Sequence, residues 1–370
     1  LIPLWLLPAL ALAWAALYGL ACGPLRRHRW LRHELPPLGL LAGAHLLFFW
    51  RPLLTPAQVP RGGGDLNSFF FPLHAFSASA MRNGDLPLWN PSLHGGMPQL
   101  ANFQAAMLYP PNLLAYLLAR PFSYATLERL AIGHFGIAAV GAYALGRALG
   151  MTCLPAALTG LIFSSSGFLV AHLGHYSMLS AAVWLPWLLL AVRHLAVHHS
   201  WLGVAGVAAT VWFMTTAGHQ QTLLYGLTVA AAWWLFWVMV GRGVLAADAW
   251  VGTAAVRDAL RRTPVRWWLA DIGRAALALG LGLALAAPVL LPSLELADRS
   301  VRAGGLSYED AAAFSVEPIA LIHFVLPKVF GSGPTDFWGP FSSGEIWGYV
   351  GIATLVLAAL ALVIRPRPAV

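Results

Sequence analysis

Charge is scarce in this chain: only 10% of its 370 residues are Asp, Glu, Lys or Arg, far below the roughly 25% usual in a soluble domain. That deficit argues against a water-soluble globule, and a hydrophobic content of 59% points to an integral membrane protein. Cysteine is nearly missing. Cys22 and Cys153 are the only two, so no disulfide framework is specified. There is no P-loop, no GxGxxG fingerprint, no HExxH string, no tandem repeat and no low-complexity tract, which argues against soluble nucleotide chemistry. A pI near 10 would suggest nucleic acid only if the basic residues formed a face on a soluble surface. Nucleic acid is therefore not an expected partner.

What the chain does contain is apolar sequence in long runs. A bilayer core about 30 Å thick takes about 20 apolar residues per helix. Nine stretches fit: 3–22, 35–51, 125–147, 155–172, 177–192, 201–217, 221–240, 273–292 and 346–364. The expected fold is an all-α polytopic membrane protein. Seventeen tryptophans agree with it, since indole rings favour the headgroup boundary. Placing Arg26 to Arg32 on the cytoplasmic side fixes every later loop. It leaves 14 of the 22 basic residues inside, against only Glu34, Asp248, Asp258 and Asp271 among the 14 acids, as the positive-inside tendency requires. Residues 1–22 carry a faint lipoprotein-type ending, Leu20-Ala21-Cys22, but Gly19 and the lack of a basic start argue for a span instead.

The outer face then receives two large loops, 52–124 and 293–345, and two short turns, His172 to Ser177 and Ala217 to Gln221. Within the first loop, Ala105 to Ala119 is apolar but too short to cross and is interrupted by Pro110-Pro111, so it is expected to be an interfacial or re-entrant helix. Pro318 to Leu326 has the same character. On the inner side, 241–272, with Trp267-Trp268 beside arginines, is expected to lie on the headgroups.

The first outer loop holds the polar residues that suggest a site. Gly62-Gly63-Gly64 leads to Asp65, and Asn83-Gly84 to Asp85; Asn67, Asn90, Gln99, Asn102 and Gln104 lie nearby with several aromatics. Carboxylates, amides and ring faces are the groups that grip sugars and phosphates. Should a divalent cation such as Mg or Mn be used, Asp65 and Asp85 are the hard oxygen ligands to expect.

The segments GGDLNSFFFPLHAF, NGDLPLWNPSLHGGMPQLANFQAAMLYPPN, AGHQQT, LELADRSVRAGGLSYEDAAAFS, LPKVFG and EIWGYVGI together resemble the YfhO family of bacterial membrane proteins, which are glycosyltransferases of the GT-C type. The resemblance implies a GT-C-like helical bundle corresponding to the N-terminal half of a longer family member. It also implies an enzyme of the bacterial plasma membrane that moves a sugar from a polyprenyl-phosphate carrier to an envelope polymer, lipid or protein on the outer face. The family's loop follows its first span, whereas here it follows the second.

In GT-C enzymes an acid in the first external loop is the catalytic base, and that motif position falls on Asp65. Inverting transfer needs such a base opposite the leaving phosphate; a solvated turn aspartate after glycines is the bland alternative. Asp85, in a strong turn signal, is more simply structural. The leaving phosphate needs stabilisation as its charge develops. The candidates are His175, His219 with Gln220, Arg302 and, more weakly, Arg61. An external turn with a snorkelling imidazole is the plain alternative for His219, and a pair with Asp298 for Arg302. Asn67, Asp85, Trp89, Asn90 and Gln221 are candidates for a sugar or acceptor pocket, with His94 and Gly95-Gly96 shaping it; Trp89 is equally an interface anchor. Glu345 and Tyr349, at the start of the last span, are a weaker acceptor site. Two other classes compete with the transferase. A transporter or flippase for a lipid-linked sugar would place polar breaks near the bilayer midplane, and a noncatalytic envelope-assembly protein would have much the same sequence.

Overall fold

The computed structural model describes residues 3, 5–22, 29–59, 64–242, 264–301, 303–305, 307–313, 315–331, 336–339 and 348–364. Arg61, Arg302 and Glu345 lie outside them, as do residues 243–263 of the inner segment.

The protein is a helical membrane protein. Its helices in chain order are α1 (Leu6–Cys22), α2 (Arg29–Phe48), α3 (Trp50–Leu54), α4 (Phe71–Arg82), α5 (Pro110–Leu118), α6 (Tyr124–Ala148), α7 (Cys153–Ser164), α8 (Gly167–Ala171), α9 (Tyr176–Ala182), α10 (Leu185–His198), α11 (Trp201–Thr216), α12 (Gln220–Gly241), α13 (Val265–Asp298), α14 (Tyr308–Ala312) and α15 (Ile352–Ile364). The only strands among the described residues are β1 (Trp89–Asn90) and β2 (Met97–Pro98), an antiparallel pair with Trp89 opposite Pro98.

Five stretches among the described residues are long and apolar enough to cross a bilayer: Tyr124–Ala148, Cys153–Gly174, Tyr176–His198, Gln220–Gly241 and Val265–Asp298. Leu6–Leu20, Trp201–Thr216 and Ile352–Ile364 are apolar but shorter. The ninth expected span falls on α2, which carries Arg29, Arg32, Glu34, Pro36 and Pro37.

Three local expectations change. Pro110 and Pro111 begin α5 instead of breaking a helix, because the first helical positions need no N–H and favour proline's fixed φ. Trp267 and Trp268 belong to the first turns of α13 and not to a separate surface segment. That helix also continues through Pro288 and Pro292 to Asp298, so the second outer loop starts later than the hydropathy suggests. Prolines are tolerated in membrane helices when neighbouring groups satisfy the freed carbonyls.

Helix α10 is central, packing on α6, α11 and α12, while α7 packs on α2 and α6. Small residues permit the closest crossings, as they do in membrane bundles generally. A Cβ on Gly282 of α13 would lie 2.7 Å from the carbonyl of Ala208 on α11, so only glycine allows that approach.

The two ends of the bundle differ chemically. At one end Glu34 pairs with Arg147 at 2.9 Å and accepts from the Tyr143 hydroxyl, joining α2 to α6. At the same end Asp271, with its side chain only 2% exposed, meets Arg242 at 2.6 Å, Arg274 at 3.0 Å and His199 at 3.0 Å. That cluster ties the ends of α10 and α12 to the start of α13. The opposite end carries α4, the hairpin and α5. A helical segment of 22 residues, the length of α12, separates the two ends by about 33 Å.

Candidate functional site

Asp65 stands immediately before a short π-helical turn, Leu66–Phe70, that runs directly into α4. Leu66 and Phe70 of that turn are buried in the main apolar cluster with Phe49, Phe135 and Tyr176. Burial of those two residues leaves Asp65 pointing away from the core. Its side chain is 61% exposed, open to an incoming hydroxyl, and its Oδ2 lies 3.5 Å from Nε2 of His175.

His175 occupies the bend between a 3-10 turn, His172–Gly174, and α9. Its Nδ1 is buried without an acceptor. Nε2 is the ring atom that faces the carboxylate.

His219 arrives from a third direction. It is the N-cap of α12, and its Nδ1 accepts from the backbone N–H of Thr222 at 3.2 Å and from the Thr222 hydroxyl at 2.8 Å. A backbone N–H can only donate, so the hydrogen of this ring sits on Nε2. The turn before it depends on Gly218. With φ at +89°, and with an added Cβ only 2.3 Å from the Phe103 carbonyl, no other residue fits there. That contact presses the His219 turn onto the 3-10 turn Phe103–Ala105 and brings Gln104 beside it.

Asp65, His175, His219 and Gln104, with Phe69, Phe70, Ser177 and Met178, line one cavity of about 390 Å³. It lies at the end of the bundle opposite Asp271. No known protein family, curated protein or solved structure matches the chain.

Behind the cavity is a buried polar layer that sequence reasoning did not resolve. The Tyr176 hydroxyl donates to Oδ1 of Asn112 at 2.5 Å, and the Asn112 amide donates to the carbonyl of Ala106 at 2.8 Å. Tyr109 lies 2.9 Å from Nε2 of His134, whose Nδ1 bonds the Leu130 carbonyl at 2.7 Å. A carbonyl only accepts, so Nδ1 of His134 donates and the Tyr109 hydroxyl donates to Nε2; Trp184 in turn donates to Tyr109 at 2.7 Å. The YPPN string therefore anchors α9 from behind. Its signal in the sequence was a Tyr and an Asn three apart around two prolines, in an otherwise apolar segment.

Other candidate residues are not among those lining the cavity. Asn90 is 1% exposed; its amide donates to Gln99 at 3.2 Å while its oxygen accepts from the Ser92 N–H at 3.0 Å. Gln99 then donates to the Leu73 carbonyl and to the Ser77 hydroxyl, both at 3.0 Å. This chain of amides fastens the hairpin to α4. Trp89 is 55% exposed, and its ring packs over Gly96 at the hairpin tip. Asp85 is exposed after the Gly84 turn, and Asn67 and Gln220 are also exposed. Gln221 donates to the Tyr225 hydroxyl at 2.7 Å.

Among the described residues no three His, Cys, Asp or Glu side chains gather as metal ligands. Asp65 is met by an imidazole and not by Asp85. One carboxylate and one imidazole do not resemble the all-oxygen donor set that Mg prefers.

A second cleft adjoins the first. About 330 Å³ in volume, it is walled by Phe163, Leu169, Leu185, Met214, Tyr225 and Val229, with Thr222 at its polar edge. The Thr222 hydroxyl is bonded to His219, so the polar cavity and the apolar cleft meet at that pair.

Proposed function

We propose that this protein is a membrane glycosyltransferase of the GT-C type, resembling the YfhO family, with nine spans and its cavity on the outer face of a bacterial plasma membrane. It takes a sugar from a polyprenyl-phosphate carrier and attaches it to an envelope polymer, lipid or protein. One observation carries the reading: an open carboxylate braced by an imidazole shares a cavity with a second imidazole, and an apolar cleft begins next to it. A sugar phosphate on a lipid tail has that same division of polar head and apolar chain.

In this reading the acceptor hydroxyl loses its proton to Asp65 as its oxygen attacks the anomeric carbon, and the bond from that carbon to the phosphate oxygen breaks. The configuration inverts because attack and departure take opposite faces. His175 holds the carboxylate through Nε2–H and leaves the other carboxylate oxygen for the hydroxyl. His219 offers Nε2–H to the departing phosphate as a fixed dipole, which helps most where water is sparse. Arg302 is a further phosphate ligand in this proposal. The prenyl chain leaves through the apolar cleft beside Thr222. No step needs a metal.

The test supplies purified protein with labelled polyprenyl-phosphate hexoses and measures release of the free carrier. Asp65→Asn is expected to lower turnover by on the order of 10²- to 10⁴-fold while the protein remains folded. Unchanged turnover in that variant removes Asp65 from the chemistry. Labelled carrier crossing a vesicle wall unconsumed would establish a flippase in its place.

A further inference from the structure

At the arginine-bearing end, one cation is treated differently from its neighbours. Arg242 and Arg274 share the buried carboxylate of Asp271, yet Arg193 has no carboxylate within ion-pair distance among the described residues. It lies on α10 six residues before His199, about 9 Å deeper along the helix. Its guanidinium is half-buried, with its carbon 4.5 Å from the centre of the Trp237 ring on α12. Both Nε of Arg193 and Nε1 of Trp237 are buried donors with no acceptor.

An arginine at such depth normally pairs with an acid or reaches the headgroups. Here the protein supplies the stacking face and withholds the anion. The surroundings say what kind of anion would fit. Trp233 and Phe236, stacked on each other, both meet the Trp237 ring edge-on, so the wall beside Arg193 on this helix is aromatic and apolar. Arg242, Arg266 and Arg274 crowd the same corner, where Asp271 is the one acid paired with them among the described residues, and Arg242 and Arg266 both lie over Trp267. This local excess of positive charge favours a ligand with net negative charge over a zwitterionic one.

We propose that the corner between α10 and α12 binds the phosphate of an anionic membrane phospholipid, with Arg193 as the phosphate ligand and the Trp237 ring as the floor beneath it. The planar guanidinium can offer two parallel N–H groups to two phosphate oxygens, which an ammonium cannot do. The acyl chains then lie along the apolar face of α12. The site is separate from the Asp65 cavity and does not depend on what that cavity does.

The full chain in detergent micelles is titrated with phosphatidylglycerol, phosphatidylcholine or inorganic phosphate. Tm and the number of lipids retained in native mass spectrometry are recorded. Phosphatidylglycerol is expected to raise Tm and remain bound, while the other two do neither. Arg193→Gln should weaken the response to phosphatidylglycerol by roughly tenfold or more, the loss expected for a charged hydrogen bond. Arg193→Lys should keep part of it. Equal responses of wild type and Arg193→Gln overturn the proposal, as does equal stabilisation by phosphatidylcholine. A matching effect of inorganic phosphate overturns the lipid assignment. Should Arg193→Gln fail to fold, a photoreactive phosphatidylglycerol is applied to the wild type. Adducts on α10 and α12 around Arg193 and Trp237 are expected, and adducts confined to other helices reject the site.

Discussion

The hydroxyl of Tyr176 donates to the side-chain oxygen of Asn112 at 2.5 Å, one residue from the histidine that meets Asp65. Both side chains are fully buried. The start of α9 is therefore held by a polar bond buried away from water, where alternatives are few.

Removing either partner should show this. Tyr176→Phe leaves an unmatched amide oxygen, and Asn112→Leu leaves an unmatched hydroxyl; each is expected to cost about 1–3 kcal/mol. Tm in detergent measures it. The double variant should lose less than the sum of the two single ones, because residues in direct contact are not additive. Strict additivity would show that the bond does not couple α5 to α9.

His175 is expected to act through Asp65. If so, His175→Gln, whose amide still donates, should retain more activity than His175→Ala. A misplaced carboxylate in the alanine variant should lower turnover by on the order of 100-fold. A rise in KM for the donor with turnover unchanged would instead assign His175 to the phosphate.

Gly218→Ala tests whether the cavity depends on one backbone conformation. Its φ of +89° and the Phe103 carbonyl 2.3 Å from the added Cβ both oppose the substitution. The strain is expected to cost about 1–3 kcal/mol, and the His219 turn must move away from Gln104. Transfer should fall along with Tm. Full activity would mean that the contact between the two turns is dispensable.

At the other end, Asp271→Ala removes a buried carboxylate and strands the largely buried Arg242, and is expected to cost about 3–5 kcal/mol. Arg274→Ala, on a one-third exposed side chain, should cost under about 1 kcal/mol. Burial, together with Arg242 and Arg274, holds the pKa of His199 below its ordinary 6.5, although Asp271 pulls it the other way. A histidine depressed in the folded state is protonated first in the unfolded chain, so its stabilising effect is full above pH 6.5 and shrinks as pH falls below that value. Melting curves taken between pH 8 and pH 5 should therefore show a smaller acid loss in His199→Asn than in wild type.

Hydropathy was enough to anticipate a helical membrane protein, because apolar run length is a local property of the chain, but of the nine expected spans only five match helical stretches long and apolar enough to cross a bilayer among the described residues. Turn chemistry was legible at Gly84 and at the GHQQ corner for the same reason. Asn90 and Gln99 were harder to read. An amide in a polar loop looks like a ligand in sequence, and only the fold shows Asn90 spent on Gln99 and Gln99 spent on Ser77. Pro110 and Pro111 misled because a proline pair stops a helix or starts one according to where the preceding chain comes from.

By itself, then, the amino-acid order determined that this is a helical membrane protein with arginines gathered at one end and polar loops at the other. Which polar residues meet was decided by tertiary packing. Asp65, Gln104, His175 and His219 come from four separate segments, and the glycine approach at Phe103, the buried Tyr176 bond and the cluster around Phe70 bring them to one cavity. Periodicity records which residues enter the bilayer, but distances between segments far apart in the chain are set only when helices dock and their side chains interlock.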